Sequence, residues 1–180
     1  KQLSKRSFYT PPKFYLFWEY CQNKPHLCKK QISFLLKYPS LFWKIADCAK
    51  IRGSFLLKNV FFLGRGIDYA TALEASLKLK EISYVHSEAY AAGELKHGPI
   101  ALIEEGTLVV GIVTQEALYG KIVSNLVEVK SRGAFVLAVT NEDNTDIEKT
   151  ADFVFYVPKV YPMFTGLVAT IPLQLFAYYV

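Results

Sequence analysis

Between residues 74 and 99 the chain reads Glu-Ala-Ser-Leu-Lys-Leu-Lys-Glu-Ile-Ser-Tyr-Val-His-Ser-Glu-Ala-Tyr-Ala-Ala-Gly-Glu-Leu-Lys-His-Gly-Pro, bringing carboxylates, amines and imidazoles into one short segment. These are the groups of acid-base chemistry. A helix over Ala70–Tyr84 would set Lys78 and Glu81 three residues apart on one face, with Glu74 one turn earlier. Ala72, Ala75, Leu79 and Ile82 would form the packing stripe behind them. A carboxylate base beside a cation can move a proton next to a carbonyl. His97 follows in Leu95-Lys96-His97-Gly98-Pro99, where Gly and Pro break regular structure and leave the imidazole near a loop. On spacing alone a solvated Glu74–Lys78 pair is the plainer reading of the helix face. A loop histidine bonded to backbone is likewise open for His97, and His86 and His26 have no comparable context.

The elements that must position these groups alternate. Asn59–Leu63 reads as a first strand, ended by Gly64-Arg65-Gly66, and a second short strand falls around Val85–Glu88. A helical turn is expected near Ala91–Lys96, then strands at Leu108–Thr114, Ala134–Thr140 and Asp152–Val157, with a helix over Tyr119–Ser131. This succession predicts a parallel sheet covered on both faces. Gly64-Arg65-Gly66 could let a phosphate approach the next helix. A dinucleotide fingerprint would want a third glycine at Tyr69, so neither NAD nor FAD is expected, and a tight strand-to-helix turn explains the glycines.

Composition bounds the rest. At 180 residues and 52% hydrophobic content, the chain can enclose one good core. Charge is uneven: residues 1–52 hold 11 basic and 2 acidic side chains, whereas 53–180 hold 10 and 14. The basic arm, 1–52, has its cations scattered among Phe, Tyr and Trp, and two helices broken near Pro25 and Pro39 are expected there. A solvated or partner-facing surface suits it better than a nucleic-acid interface. Cys21, Cys28 and Cys48 are odd in number and follow no leader-like segment, which fits a reducing, cytoplasmic setting without disulfides. Cys21, His26 and Cys28 lack a second pair at zinc-site spacing, so no metal is expected. Thr165–Val180 is uncharged but spans 16 residues and contains Pro172. That is short of the ~20 a membrane span needs, and a buried helix is expected instead.

Phe61-Phe62-Leu63-Gly64-Arg65-Gly66, Leu77-Lys78-Leu79-Lys80-Glu81-Ile82-Ser83-Tyr84, Glu88 through Pro99, and Ile171-Pro172-Leu173-Gln174-Leu175-Phe176-Ala177-Tyr178-Tyr179-Val180 together resemble the glucosamine-6-phosphate synthase family. The resemblance covers about residues 58–180 and is to the second sugar isomerase (SIS) subdomain of that family's isomerase region. It implies a flavodoxin-like three-layer α/β/α SIS domain over 53–180, with a five-stranded parallel sheet, preceded by the helical arm.

What the resemblance implies for function follows residue by residue. Glu81 matches the base that shuttles a proton between C1 and C2 as fructose 6-phosphate and glutamine-derived ammonia become glucosamine 6-phosphate. Lys78 matches its assisting cation. His97 matches the ring-opening histidine, which reaches the site from a neighbouring subunit, so a homodimer is expected. No cofactor or metal is implied, and no nucleic acid or membrane partner. Phosphate is held in that family chiefly by Ser- and Thr-rich loops of the first subdomain, and a lysine for imine chemistry lies in a tail beyond the position of Val180. Ser4–Thr10 only faintly echoes the end of the first subdomain and carries no assigned contact. The chain is therefore expected to be part of a longer enzyme, inactive or weakly active alone. The alternative is a non-catalytic SIS module that binds a phosphosugar or dimerises.

Overall fold

A computed structural model of the chain describes residues 59–180. The basic arm, its two expected helices, the three cysteines and His26 lie outside the described residues. Five strands, β1 (Asn59–Gly64), β2 (His86–Ala91), β3 (Leu108–Val113), β4 (Phe135–Asn141) and β5 (Phe153–Val157), make one sheet in the order β2-β1-β3-β4-β5, with every pairing parallel. A sheet of this kind is buried on both faces, which is why β3 (Leu-Val-Val-Gly-Ile-Val) and the inner part of β1 are apolar runs rather than alternating ones.

Three helices cover the sheet: α1 (Ile67–Ser83), α2 (Tyr119–Ser131) and α3 (Thr165–Tyr179). On one face α1 lies against β1 and β2 and packs along α3. A Cβ on Gly166 would stand 3.0 Å from Thr71 Oγ1, so the small residue sets how closely these two helices approach. On the other face α2 buries Ile122, Leu126 and Val129 with Phe61, Leu63, Val109, Val136 and Ala138. The link from β2 to β3 adds Leu95, Ile100 and Ile103 to this second core. The result is the three-layer arrangement the alternation predicts, with helices on both faces.

Boundaries shift in informative ways. β2 runs on through Ala91, so the expected turn of helix over Ala91–Lys96 contracts to a 3₁₀ turn at Leu95–His97. Pairing of Gly64 with Ala91 extends the ladder that far, and Ala92 N–H donates to Gly64 O at 2.9 Å beyond it. The stripe behind Lys78 is also corrected at one position: Ala72, Ala75 and Leu79 are buried, but Ile82 is 43% exposed. Ser83 turns inward in its place and donates to Ala177 O of α3. The Thr165–Val180 run forms the expected helix, burying Ala169, Leu173 and Phe176 while Leu167 faces outward. Among the described residues no helix is long and apolar enough to cross a membrane.

Candidate active site

The segment that carries Lys78 and Glu81 is helical because it is built from Ala, Leu, Lys and Glu, with β-branched residues only at its two ends and at Thr71. It starts at the Gly64-Arg65-Gly66 turn. A Cβ on Gly64 would meet Asp68 O at 2.3 Å, and Gly66 has φ 59°, so both glycines are demanded by the tight turn itself. It ends at Tyr84, which takes up the left-handed conformation at φ 59° and is 89% exposed. Internally, Ser87 Oγ donates to Ser76 O at 2.8 Å and lies 3.1 Å from Ser76 Oγ, which fastens the middle of α1 to β2.

With α1 so fixed, Lys78 Nζ donates to Glu81 Oε2 at 2.8 Å and lies 3.6 Å from Glu74 Oε1. The hydrogen bond to Glu81 raises the Lys78 ammonium above its ordinary pKa, with partial burial opposing and the charges of Glu74 and Glu81 adding to the rise. Lys78 therefore stays cationic. Its side chain is the more sheltered member of the pair, while the Glu81 side chain is 50% exposed. Chemically, one carboxylate oxygen is anchored by a cation while the side chain stays half exposed, an arrangement that can present a base to a bound molecule.

His97 is elsewhere. It ends the 3₁₀ turn after β2, its Nε2 is 3.8 Å from Glu94 Oε2, and its side chain is 74% exposed. Glu81 stands just before β2 begins and His97 just after it ends. Between them runs β2, about 17 Å from its first residue to its last at ~3.3 Å per residue. One chain thus brings Lys78 and Glu81 together and leaves His97 beyond the opposite end of β2. His86 lies 3.1 Å from Asn59 across the β1–β2 pair, an ordinary strand-edge contact. A cavity of about 510 Å³ opens at the N-terminal edge of the sheet, lined by His86, Glu88, Glu104 and Glu105 among others, and neither Lys78 nor Glu81 reaches it. Among the described residues no group of three His, Cys, Asp or Glu could hold a metal.

A second polar cluster has almost no local sequence signal. Asp68, in the first turn of α1, is fully buried and accepts from Thr114 N–H at 2.8 Å, from the Thr114 hydroxyl and from Gln115 N–H at 3.3 Å. Burial raises its pKa, and the bonds from Thr114 and Gln115 work against that rise. The only sequence signal was an acidic residue in a first helical turn, which is commonplace. Its partners lie 46 and 47 residues away, across the β1–β3 junction.

A model of the SIS domain matches residues 57–180. The chain belongs to the SIS domain family. Its sequence is 59% identical over 123 residues to glutamine–fructose-6-phosphate aminotransferase [isomerizing] of Clostridium tetani, covering 68% of this chain and 20% of that relative. A protein of the same name from Caldanaerobacter subterraneus is 48% identical over 153 residues, 82% of this chain and 25% of that one. This SIS chain thus spans about a fifth to a quarter of the curated relatives it matches. In structure it is similar to the C-terminal domain of glucosamine-fructose-6-phosphate aminotransferase from Francisella tularensis, with TM-score 0.71 and 34% identity over 84% of this chain and 42% of that one. The resemblance drawn from the motifs and the SIS fold drawn from it both stand.

Proposed function

We propose that this SIS chain supplies the proton-transfer part of an enzyme that converts fructose 6-phosphate and glutamine-derived ammonia into glucosamine 6-phosphate. Glu81 moves the proton between C1 and C2 of the sugar. Lys78 orients Glu81 and offsets negative charge as it develops on the enolate oxygen. His97 serves ring opening in the site of a second copy, which requires a homodimer. The phosphate is held by a companion subdomain outside these residues, in a cytoplasmic enzyme that uses no metal or organic cofactor. The observation that carries this reading is the 2.8 Å Lys78–Glu81 bond on an accessible face of α1. Its weight comes from a chain so similar to aminotransferases of that name.

The test is hydrogen exchange in heavy water with fructose 6-phosphate and glucose 6-phosphate, following C1 and C2 by NMR, with Glu81→Gln as the comparison. Exchange should fall by roughly 10²–10⁴ in the variant. Equal exchange in both proteins would remove Glu81 from the chemistry. A non-catalytic phosphosugar-binding or dimerising SIS module is the second reading, favoured by the cavity of about 510 Å³, which neither Glu81 nor His97 lines. It gains the ground if a folded wild-type chain shows no exchange and a Lys78, Glu81, His97 triple alanine variant binds the sugar phosphate unchanged.

A further inference from the structure

Helices that end on a left-handed residue most often use glycine there, because a side chain meets a steric cost in that conformation. α1 ends on Tyr84 instead, at φ 59° and ψ 23°. Among the described residues it is the one residue other than glycine with positive φ. No packing offsets the cost: among those residues Tyr84 is the most exposed large apolar side chain, and no ring contact or hydrogen bond holds it. Nor is the backbone loose. Ser83, directly before it, donates to Ala177 O of α3, so the segment that presents the ring is fastened. Strain that persists without a packing gain points to function.

The outer side of α1 repeats the pattern. Leu73, Leu77 and Glu81 follow one another at four-residue steps, and the backbone of Tyr84 continues the row. Leu73 and Leu77 are both exposed, while Ala72, Ala75 and Leu79 occupy the buried side. A helix that served only to cover the sheet would be polar on its outer side. Here the Lys78–Glu81 hydrogen bond stands instead between an exposed leucine one turn earlier and an exposed tyrosine one turn later. Apolar walls around a few polar groups are the composition of small-molecule sites. A sugar presents C–H groups as well as hydroxyls, and tyrosine matches both with an apolar ring and a polar tip.

We propose that Tyr84 is a substrate-contacting residue of the Glu81 site. Its ring lies against the C–H groups of the sugar phosphate and Leu77 bounds the opposite side. Between them C1 and C2 are held against the Glu81 carboxylate, with water kept off it. Tyr84 has this role only if the sugar binds at Glu81, as proposed above, but binding and proton transfer are read by separate signals.

The experiment adds fructose 6-phosphate to the full 180-residue chain and follows the Tyr84 ring by ¹H–¹³C NMR, its signals assigned by their absence from Tyr84→Leu. Saturable shifts are expected in wild type and equally in Glu81→Gln, and inorganic phosphate alone should leave the ring unmoved. Tyr84→Gly should bind the sugar phosphate about tenfold or more weakly, read at the Glu81 amide, while Tyr84→Phe stays within about twofold of wild type. A wild-type ring that ignores the sugar phosphate overturns the proposal, as does a folded Tyr84→Gly chain of unchanged affinity. Ring signals that move with protein concentration and not with sugar also overturn it, by giving Tyr84 to a contact between copies. If the ring shifts while Glu81→Gln leaves hydrogen exchange intact, Glu81 loses its role as base and the Tyr84 contact stands.

Discussion

As a base, Glu81 would take up a proton while Lys78 holds its Oε2, so the cation keeps the carboxylate aimed without blocking it. Asp68 illustrates the opposite use of a carboxyl group. No cation figures among the influences on it, burial dominates, and its folded pKa lies above the ordinary 3.8. A raised folded pKa means that the folded state binds more protons than the unfolded one above that value. The group's contribution to stability is then complete below the unfolded pKa and is lost as pH rises through the folded one. Asp68→Asn removes this dependence. The stability of wild type minus that of Asp68→Asn, from urea midpoints, should therefore fall as pH rises above about 4, the ordinary aspartate value. A difference that grows with pH would mean that the three donors outweigh burial.

At the scale of elements, α1 is set by its two ends, and the ends respond to substitution with opposite sign. Gly64→Ala would drive a methyl to 2.3 Å from Asp68 O and 2.6 Å from Tyr69 N, both backbone atoms that cannot swing aside. Thermal unfolding should show a loss of about 3 kcal/mol, the upper part of the overpacking range. Tyr84 holds a left-handed conformation that costs a non-glycine residue about 1–2 kcal/mol, and its ring is almost fully exposed. Tyr84→Gly should leave stability unchanged or raise it by up to about 1 kcal/mol, glycine's own entropy offsetting part of the relief. A clear loss would show that the ring is packed against something in solution.

At the scale of the molecule, the parallel sheet separates Glu81 from His97 by the length of β2, so a site that uses both must draw on two copies. In a two-fold dimer each site would combine Glu81 of one chain with His97 of the other. Co-refolding equal amounts of Glu81→Gln and His97→Ala chains makes half the dimers mixed, each with one intact site of two. Exchange should recover to roughly a quarter of wild type. Recovery no greater than the mean of the two variants would place His97 outside any shared site.

Sequence by itself determined the strands, because the runs Asn59–Leu63, Leu108–Thr114 and Ala134–Thr140 are apolar enough to read without context, and two buried faces demand that. It also determined the Lys78–Glu81 pair, since a three-residue spacing on a helix is a local fact. The names of the relatives agree with the motifs that first suggested them. The tertiary structure alone decided what depends on distant partners. Ile82 lost its inward place to Ser83 because the C-terminal turn of α3 offers a carbonyl there. Asp68 became a buried fastening because β3 delivers Thr114 and Gln115 beside it. Glu81 and His97, sixteen positions apart in the chain, lie beyond opposite ends of β2 because that strand runs between them. Periodicity reports which way a side chain points along its own element, and only packing reports what it meets there.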